Sequence, residues 1–459
     1  MNQTCPSSPA ADPQFAAFIG LDWADQKHAW ALQEAGSQRV EQGTVDNTPE
    51  AMDAWVTELT SRFHSQPIAV AVEPVRGSVI AKLSKYANVV LYPIHPKASS
   101  DYRSAFRPSG AKSDPSDAAL LLEMVTRHRD RLRKLDPDTE QTRMLRILVE
   151  RRRDLVDQQT AYTNQLTAVL KQIFPQALDW LDQLNTPLAF DFLERWPTLE
   201  SLRKVRPQTL RDFFHKHNSR NSERIEQRIQ QIPQAVSATE DRALIEPGIL
   251  WIRSVSKQLV QVSQAIAEFD AKIEEVAQAH PDFNLVHSFP GAGPVMAPRL
   301  LATLGTQRDR FGSADELQCF TGIAPVTVTS GKQKWVHWRW ACSKFDRQTI
   351  HEWAGHSRKK CEWAREHYQQ QRDSGSGHHA AIRSLGYKWL RVLYRCWKDG
   401  VPYDEARYLK ARRPPPQSQP TQSKQPRTQP SKISTGAVDI DWKYCGGFSK
   451  PTRISHLTE

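Results

Sequence analysis

The 459-residue sequence has no apolar run approaching the ~18 residues that a bilayer span requires, which excludes a transmembrane helix. Its first residues, MNQTCPSSPAADPQ, have neither a basic n-region nor an apolar h-region, so a secretory signal is not expected. The six cysteines (Cys5, Cys319, Cys342, Cys361, Cys396 and Cys445) are scattered, with no C-x-x-C and no zinc-ligand spacing. That excludes a zinc finger and points to a reducing, cytoplasmic compartment. A P-loop G-x-x-x-x-G-K-[ST] is absent as well, so nucleoside triphosphates are not expected to drive the chemistry. What is present is a globular mix, 39% hydrophobic and 25% charged, in a chain long enough for two or three domains. Lys and Arg total 62 against 51 Asp and Glu, a net charge of +11. An excess of this sign suits a polyanionic partner, nucleic acid first and an anionic membrane surface second.

Residues 15–135 read as α/β. FAAFIGLDW (Phe15 to Trp23) is almost continuously apolar, as a central strand covered on both faces would be. HAWALQ alternates like a neighbouring strand, and PIAVAVEP and NVVLYPI are two further strands. TPEAMDAWVTELTSRF begins with Thr48 and Pro49, a cap and a first helical residue; SVIAKLSKYA and, from Ser113, SDPSDAALLLEM read as helices. Between 140 and 280 the pattern changes to long helices. Ile252, Val255, Leu259, Val262, Ile266, Phe269, Ile273 and Val276 recur in steps of three and four, an a/d seam that another helix must cover. A weaker seam runs through Leu145, Leu148, Leu155, Tyr162, Leu166, Val169 and Ile173, and the two could close within one chain or across a dimer. A second compact unit spans 283–409. From 411 to 459 the chain reads as a basic, disordered tail; KARRPPPQSQPTQSKQPRTQPSKIS contains no acid and suits weak, sequence-independent phosphate contact.

Four carboxylates stand out. Asp22 ends the first apolar strand and Glu73 ends PIAVAVE, and adjacent strand ends of an open α/β sheet open into one crevice. Asp114 and Asp117, three apart at a helix start, point from one face. Acids brought together repel unless hard cations neutralise them; magnesium prefers such oxygen ligands, and two-metal phosphodiester chemistry uses the arrangement. The plainer alternative is that Asp114, before Pro115, caps the helix and Asp117 serves its dipole.

In the second unit, Pro290, Gly291, Ala292 and Gly293 precede an apolar helix and resemble a helix-hairpin-helix turn, whose free N–H groups can hold a phosphate; a plain glycine turn reads equally well. Ser330-Gly331 lies on an apparent loop, followed by Lys332, Lys334, His337, Arg339, Lys344 and Arg347. A serine hydroxyl becomes a nucleophile only where its proton is removed and the developing charge is stabilised, which cations and a metal could do; otherwise Ser330 is a solvated turn residue. Trp335, Trp338 and Trp340, interleaved with basic residues, suit base stacking and equally a half-buried strand.

Taken together, IGLDWADQKH, AVEP followed by Arg76-Gly77, KSDPSDA, FPGAGPVMAPRLLATLG, FTGIAPVTVTSGK, HWRWACSKFDRQT and AAIRSLGYKWLRVLYRCWKDGVPYDEARYL closely resemble, in order, the insertion-sequence 110 family of transposases, the bridge recombinases. The resemblance implies an α/β plus all-α architecture. It consists of an RNase H-like (RuvC-like) domain with an Asp-Glu-Asp-Asp set, a coiled-coil middle that can mediate oligomerisation, and a mainly helical transposase domain with a nucleophilic serine. The set maps onto Asp22, Glu73, Asp114 and Asp117 as Mg2+ ligands, and the nucleophile onto Ser330. Nucleic-acid contact falls to Gly291, Gly293, Lys332, Lys334, Arg339 and Lys344. The implied partners are donor and target DNA, a guide (bridge) RNA and further copies of the chain, a dimer that forms a tetramer at synapsis. The sequence departs from the pattern at Thr329, where many members have a second serine, and at Lys332, where many have a second glycine. Ser343 is the nearest competing serine but lacks the following glycine. The other readings are a junction-resolvase-like nuclease that uses water and a non-catalytic nucleic-acid scaffold.

Overall fold

The computed structural model describes residues 14–73, 77–106, 113–331 and 333–412, in two units divided between Tyr403 and Asp404. Lys332, Arg76, Lys112 and the tail beyond 412 therefore lie outside the described residues.

The first unit opens with a five-stranded sheet of order β3-β2-β1-β4-β5. Its strands are β1 (Ala17–Asp22), β2 (Lys27–Glu34), β3 (Val40–Asp46), β4 (Ile68–Val72) and β5 (Val89–Pro93). β1 pairs antiparallel with β2 and parallel with β4; β2–β3 is antiparallel and β4–β5 parallel. The four segments predicted as strands are β1, β2, β4 and β5, and every residue of β4 is buried because both sheet faces are covered. On one face Ile19, Leu21, Ile68, Val70 and Val72 pack on α1 (Pro49–Arg62) and α2 (Ser78–Leu83). On the other, Ala69, Ala71 and Tyr92 meet Leu120, Leu121, Met124 and Val125 of α4 (Asp114–Arg127), which α3 (Pro96–Phe106) precedes. Thr48 caps α1 by accepting from the Ala51 amide at 3.1 Å, as the sequence predicts. β3 and α3 were not anticipated: β3, VEQGTVD, is a polar edge strand with a single buried residue.

Two long helices follow, α5 (Glu140–Ile173) and, after the shorter α6 (Gln176–Trp180), α7 (Pro187–Arg195), α8 (Leu199–Arg203), α9 (Pro207–Lys216) and α10 (Ser222–Gln234), α11 (Arg242–Gln278). The two predicted seams close on each other within the chain. Gln141 Nε2 donates to the Val276 carbonyl at 3.0 Å, Arg152 Nη2 to Asp270 at 3.0 Å and Gln159 Nε2 to Ser263 Oγ at 3.0 Å, so the helices run antiparallel. The small helices wrap the far end, where Leu166, Val169, Leu170 and Ile173 share a core with Phe192, Phe213, Phe214, Ile252, Val255 and Leu259.

At the other end α5 meets α13 (Met296–Leu304) and α15 (Lys344–Ser357), which pack with α12 (Phe283–His287), α14 (Ala314–Phe320), α16 (Glu362–Asp373) and α17 (His378–Asp399). Between α14 and α15 stand β6 (Val326–Ser330) and β7 (Gln333–His337), an antiparallel pair. Trp353, Trp363, Trp389 and Trp397 fill the core of this part. Asp346 of α15 is fully buried, and Arg146 of α5 reaches it with both guanidinium nitrogens, one of them at 2.8 Å. Burial alone would raise the Asp346 carboxyl, but Arg146, with the Ser343 and Thr303 hydroxyls, holds it below the usual range. The second unit contributes one described helix, α18 (Glu405–Arg412).

Breaking a buried ion pair from one side strands the remaining charge, which costs about 3–5 kcal/mol. Asp346→Asn should therefore lower stability by about that amount in a urea titration. The paired Arg146→Met, Asp346→Leu variant should recover much of the loss.

Candidate nucleic-acid cleavage site

The strand ends carry the first two acids. Leu21 pairs with Val72 across β1 and β4, and Asp22 and Glu73 are the next residues on each strand. Helix α4 supplies the other two. A Cβ at Gly20 would collide with the Ala118 carbonyl oxygen and the Leu122 amide, so α4 lies directly on the backbone of β1. Beyond its C-terminus, Arg129 covers Phe15 and Phe18 at 5.0 and 5.5 Å, beside the start of β1. The helix thus runs antiparallel to the strand, and its first turn, with Asp114 and Asp117, lies at the strand's C-terminal end. All four acids share one edge of the sheet.

Their side chains are not gathered into a metal cage. Among the described residues no three His, Cys, Asp or Glu side chains stand close enough to hold an ion. Asp22 is half-buried and Asp114 exposed. Asp117 is buried and paired with Arg103 at 2.6 Å, and Glu73 accepts a 2.6 Å hydrogen bond from Ser99. Both partners belong to α3, which the sequence did not reveal as a helix. The cap of α4 is Ser113, whose amide donates to Ser116 Oγ at 3.2 Å; Asp114 is the first helical residue, so the capping alternative for it does not hold. The donor set, carboxylate oxygens without thiolate or imidazole, fits a hard divalent cation such as magnesium.

Ser330 ends β6 and pairs with Gln333 of β7, so the hairpin closes between them, with Gly331 the described residue of its turn. Gly331 has φ +56°, the left-handed conformation that such turns demand and glycine supplies. The serine is therefore an exposed residue at a hairpin tip. Every residue of β7 is exposed, as are Val328 and Trp340. The base, by contrast, is anchored. The guanidiniums of Arg347 and Arg383 both stack on Trp338, 4.8 and 4.5 Å from its ring centre. Arg339 Nε donates to the Ala324 carbonyl at 3.2 Å, and Arg347 donates to that of Arg339 at 3.2 Å. The three tryptophans thus divide: Trp338 is structural, while Trp335 and Trp340 are 49% and 74% exposed. Lys334 and Lys344 are exposed too, and from Val326 to Phe345 the sequence contains no Asp or Glu. Ser343 is engaged elsewhere, its Oγ accepting from the Asp346 amide at 3.2 Å as the cap of α15.

The Gly291 and Gly293 loop joins α12 to α13. Gly291, at φ +81°, would place a Cβ 2.8 Å from the Ser357 amide, so packing on α15 already requires a glycine there; Gly293 faces open space.

Comparison with known proteins bears on both parts. A profile described as a transposase family matches residues 19–175, which include the four acids, and the Transposase IS116/IS110/IS902 family profile matches 283–369, which include the hairpin. The chain belongs to the IS110/IS116 family of transposases. It is a DNA-cleaving and recombining enzyme. The mini-circle putative transposase for IS117 of Streptomyces coelicolor is 26% identical over 86% of this chain and 97% of its own length. An uncharacterized 42 kDa protein of insertion element IS900, from Mycobacterium paratuberculosis, is 25% identical over 85% of this chain and 97% of its own. Among the described residues of this transposase, no helix is long and apolar enough to cross a membrane.

Close to the hairpin's base, His351 of α15 faces His379 of α17, which in turn contacts His378. Burial first, then repulsion from His379, Arg383 and His378, pushes the His351 imidazole down to about 4. The folded protein keeps it neutral, whereas the unfolded chain takes up the proton from pH 6.5 downward. Stability contributed by this site is therefore present at neutral pH and declines between pH 6.5 and 4. His351→Gln should shrink the drop in thermal midpoint between pH 7 and 5, measured by calorimetry against wild type.

Proposed function

We propose that this transposase cuts and rejoins DNA by transesterification, with Ser330 as the nucleophile and the four acids as the metal-binding counterpart. The reading divides the chain into a RuvC-like domain (15–135), a coiled-coil assembly region (140–280) and a C-terminal transposase domain (283–409) with a helix-hairpin-helix-like element at Gly291 and Gly293. What supports it most is that Asp22, Glu73, Asp114 and Asp117 lie at one end of the sheet while Ser330 stands exposed on an acid-free, cationic hairpin.

Asp22, Glu73, Asp114 and Asp117 would hold magnesium, which when bound stabilises charge on the attacking and leaving oxygens of a phosphodiester. Lys334, Arg339 and Lys344, with Lys332, neutralise the DNA or RNA backbone, and Trp335 and Trp340 offer flat faces to unpaired bases. Ser330 Oγ attacks the phosphorus and displaces the deoxyribose oxygen, which leaves as a hydroxyl with the proton given up by the serine, and a phosphoserine ester results. That ester retains the energy of the phosphodiester, so a new DNA end can displace the serine without ATP, consistent with the missing P-loop. A cut duplex must be held together, which requires at least a dimer and, with donor and target both engaged, a tetramer. A guide RNA that reads sequence would leave the protein mainly backbone and shape contacts, which a net charge of +11 suits.

Ser330→Ala should bind donor DNA normally but form no covalent protein–DNA adduct on denaturing gels and give no recombinant product. Strand cutting by that variant, with hydrolysed ends, would instead identify a water-dependent nuclease. Lys334→Ala on the hairpin and Lys344→Ala at the start of α15 should each reduce the slope of log affinity against log salt by about 1, if each neutralises one phosphate. Fluorescence anisotropy at several salt concentrations measures it.

A further inference from the structure

The acidic edge includes two side chains that the proposed chemistry does not use. Ser99 and Arg103 are four residues apart and so lie on one face of α3, and both address the acids. Ser99 is buried, its hydroxyl 2.6 Å from Glu73 Oε1 and 2.9 Å from the Pro96 carbonyl of its own helix. A hydroxyl has one proton to give, and the shorter contact, to a charged acceptor, is the stronger. Arg103 Nη2 donates to Asp117 Oδ1 at 2.6 Å, the two side chains being 18% and 6% exposed. A carboxylate so withdrawn from water needs a positive neighbour or must give up its charge. Arg103 is that neighbour, and it occupies an oxygen that a divalent ion bound at Asp117 would compete for.

We propose that α3 is a built-in counter-ion arm of the acidic edge: Ser99 orients the Glu73 carboxylate, and Arg103 holds the cation's place at Asp117 until a divalent ion displaces it. Arg103 and Ser99 are on this view positioning residues, and the proposal rests on Asp22, Glu73, Asp114 and Asp117 being metal ligands. It separates from a purely structural salt bridge by the sign of one effect. Loss of a structural bridge loosens the site and weakens metal binding; loss of a competing cation strengthens it. Removing the Ser99 hydroxyl acts the other way, because the Glu73 carboxylate is no longer oriented.

The test is a Mn2+ titration of the full-length protein without nucleic acid, with free Mn2+ followed by electron paramagnetic resonance. Wild type, Arg103→Gln, Arg103→Lys, Ser99→Ala and Asp22→Ala are compared, each checked for folding by circular dichroism without metal. Arg103→Gln should bind several-fold more tightly than wild type, Ser99→Ala several-fold more weakly, and Asp22→Ala should lose the site. Arg103→Lys keeps the charge without the planar fork and should fall between wild type and the glutamine variant, which preserves the test if the latter does not fold. Binding no tighter than wild type in the folded Arg103 variants, with the site still lost in Asp22→Ala, overturns the role of Arg103 alone. Unchanged binding in Asp22→Ala, or none in any variant, overturns the metal-ligand reading and this proposal with it.

Discussion

How closely α4 can lie on β1 decides where the acids stand. At Gly20 helix and strand meet backbone to backbone, and any side chain would have to push α4 away. The surroundings are built to the same tolerance: Ala29 and Ala31 of β2 and Ala118 of the helix are small, so α4 sinks onto the sheet while Leu120, Leu121, Met124 and Val125 fill the space beside it. Glycine in a strand costs about 0.5–1 kcal/mol in backbone entropy relative to alanine, a loss that burial of this apolar face outweighs. The geometry that sets Asp114 and Asp117 at the end of β1 is therefore a packing result, independent of any attraction among the acids themselves, which repel.

The remainder of the first unit is tied to the sheet by polar contacts on the segment between α4 and α5. The Leu135 amide donates to the Leu91 carbonyl of β5 at 2.7 Å, and Arg133 donates to the Asp309 carbonyl at 2.7 Å. Asp138 receives the Thr306 amide at 3.1 Å. About two turns further on, Arg146 enters the tryptophan-rich part and meets Asp346. One short stretch thus contacts the edge strand, the loop after α13 and the core of α15. These bonds are directional, so they fix orientation more sharply than an apolar interface of similar extent would.

The sequence was most legible where burial is complete. β1 and β4 are covered on both faces and read as unbroken apolar runs, and the seam of α11 is visible because α5 covers it along its length. Legibility fails where elements bury little. β3 is a polar edge strand, and α3, PKASSDYRSAF, has Ser99 as its one buried residue, so neither offers a periodicity to find. The sharing of one edge by Asp22 and Glu73 follows from strand order and was readable. The partners of Asp117 and Glu73 were not, since they come from the element that left no pattern. At the second part, the Ser-Gly turn and the run of cations were plain in the sequence. Which of the three tryptophans is structural depends on Arg347 and Arg383 clasping Trp338, and Arg383 comes from a different helix, α17.

The two parts of the proposed site treat charge in opposite ways. The acidic edge is partnered from its own chain: Arg103 supplies the counter-charge that the buried Asp117 requires, and the Ser99 hydroxyl donates to the half-buried Glu73. The hairpin carries Lys334, with Arg339 just beyond it and Lys344 at the start of α15, along a stretch with no carboxylate, and its strands bury almost nothing, although an isolated two-stranded ribbon is marginal in water. Its rigidity comes from below, from the clasped Trp338 and the backbone bonds of Arg339 and Arg347. Cationic, aromatic and bare above an anchored base, such a ribbon gains most from a polyanion laid along it. The acidic edge, by itself, repels that same polyanion until cations neutralise it. In the proposed function, nucleic-acid binding and metal binding therefore fall to two parts of the chain far apart in sequence, and phosphodiester chemistry would require both.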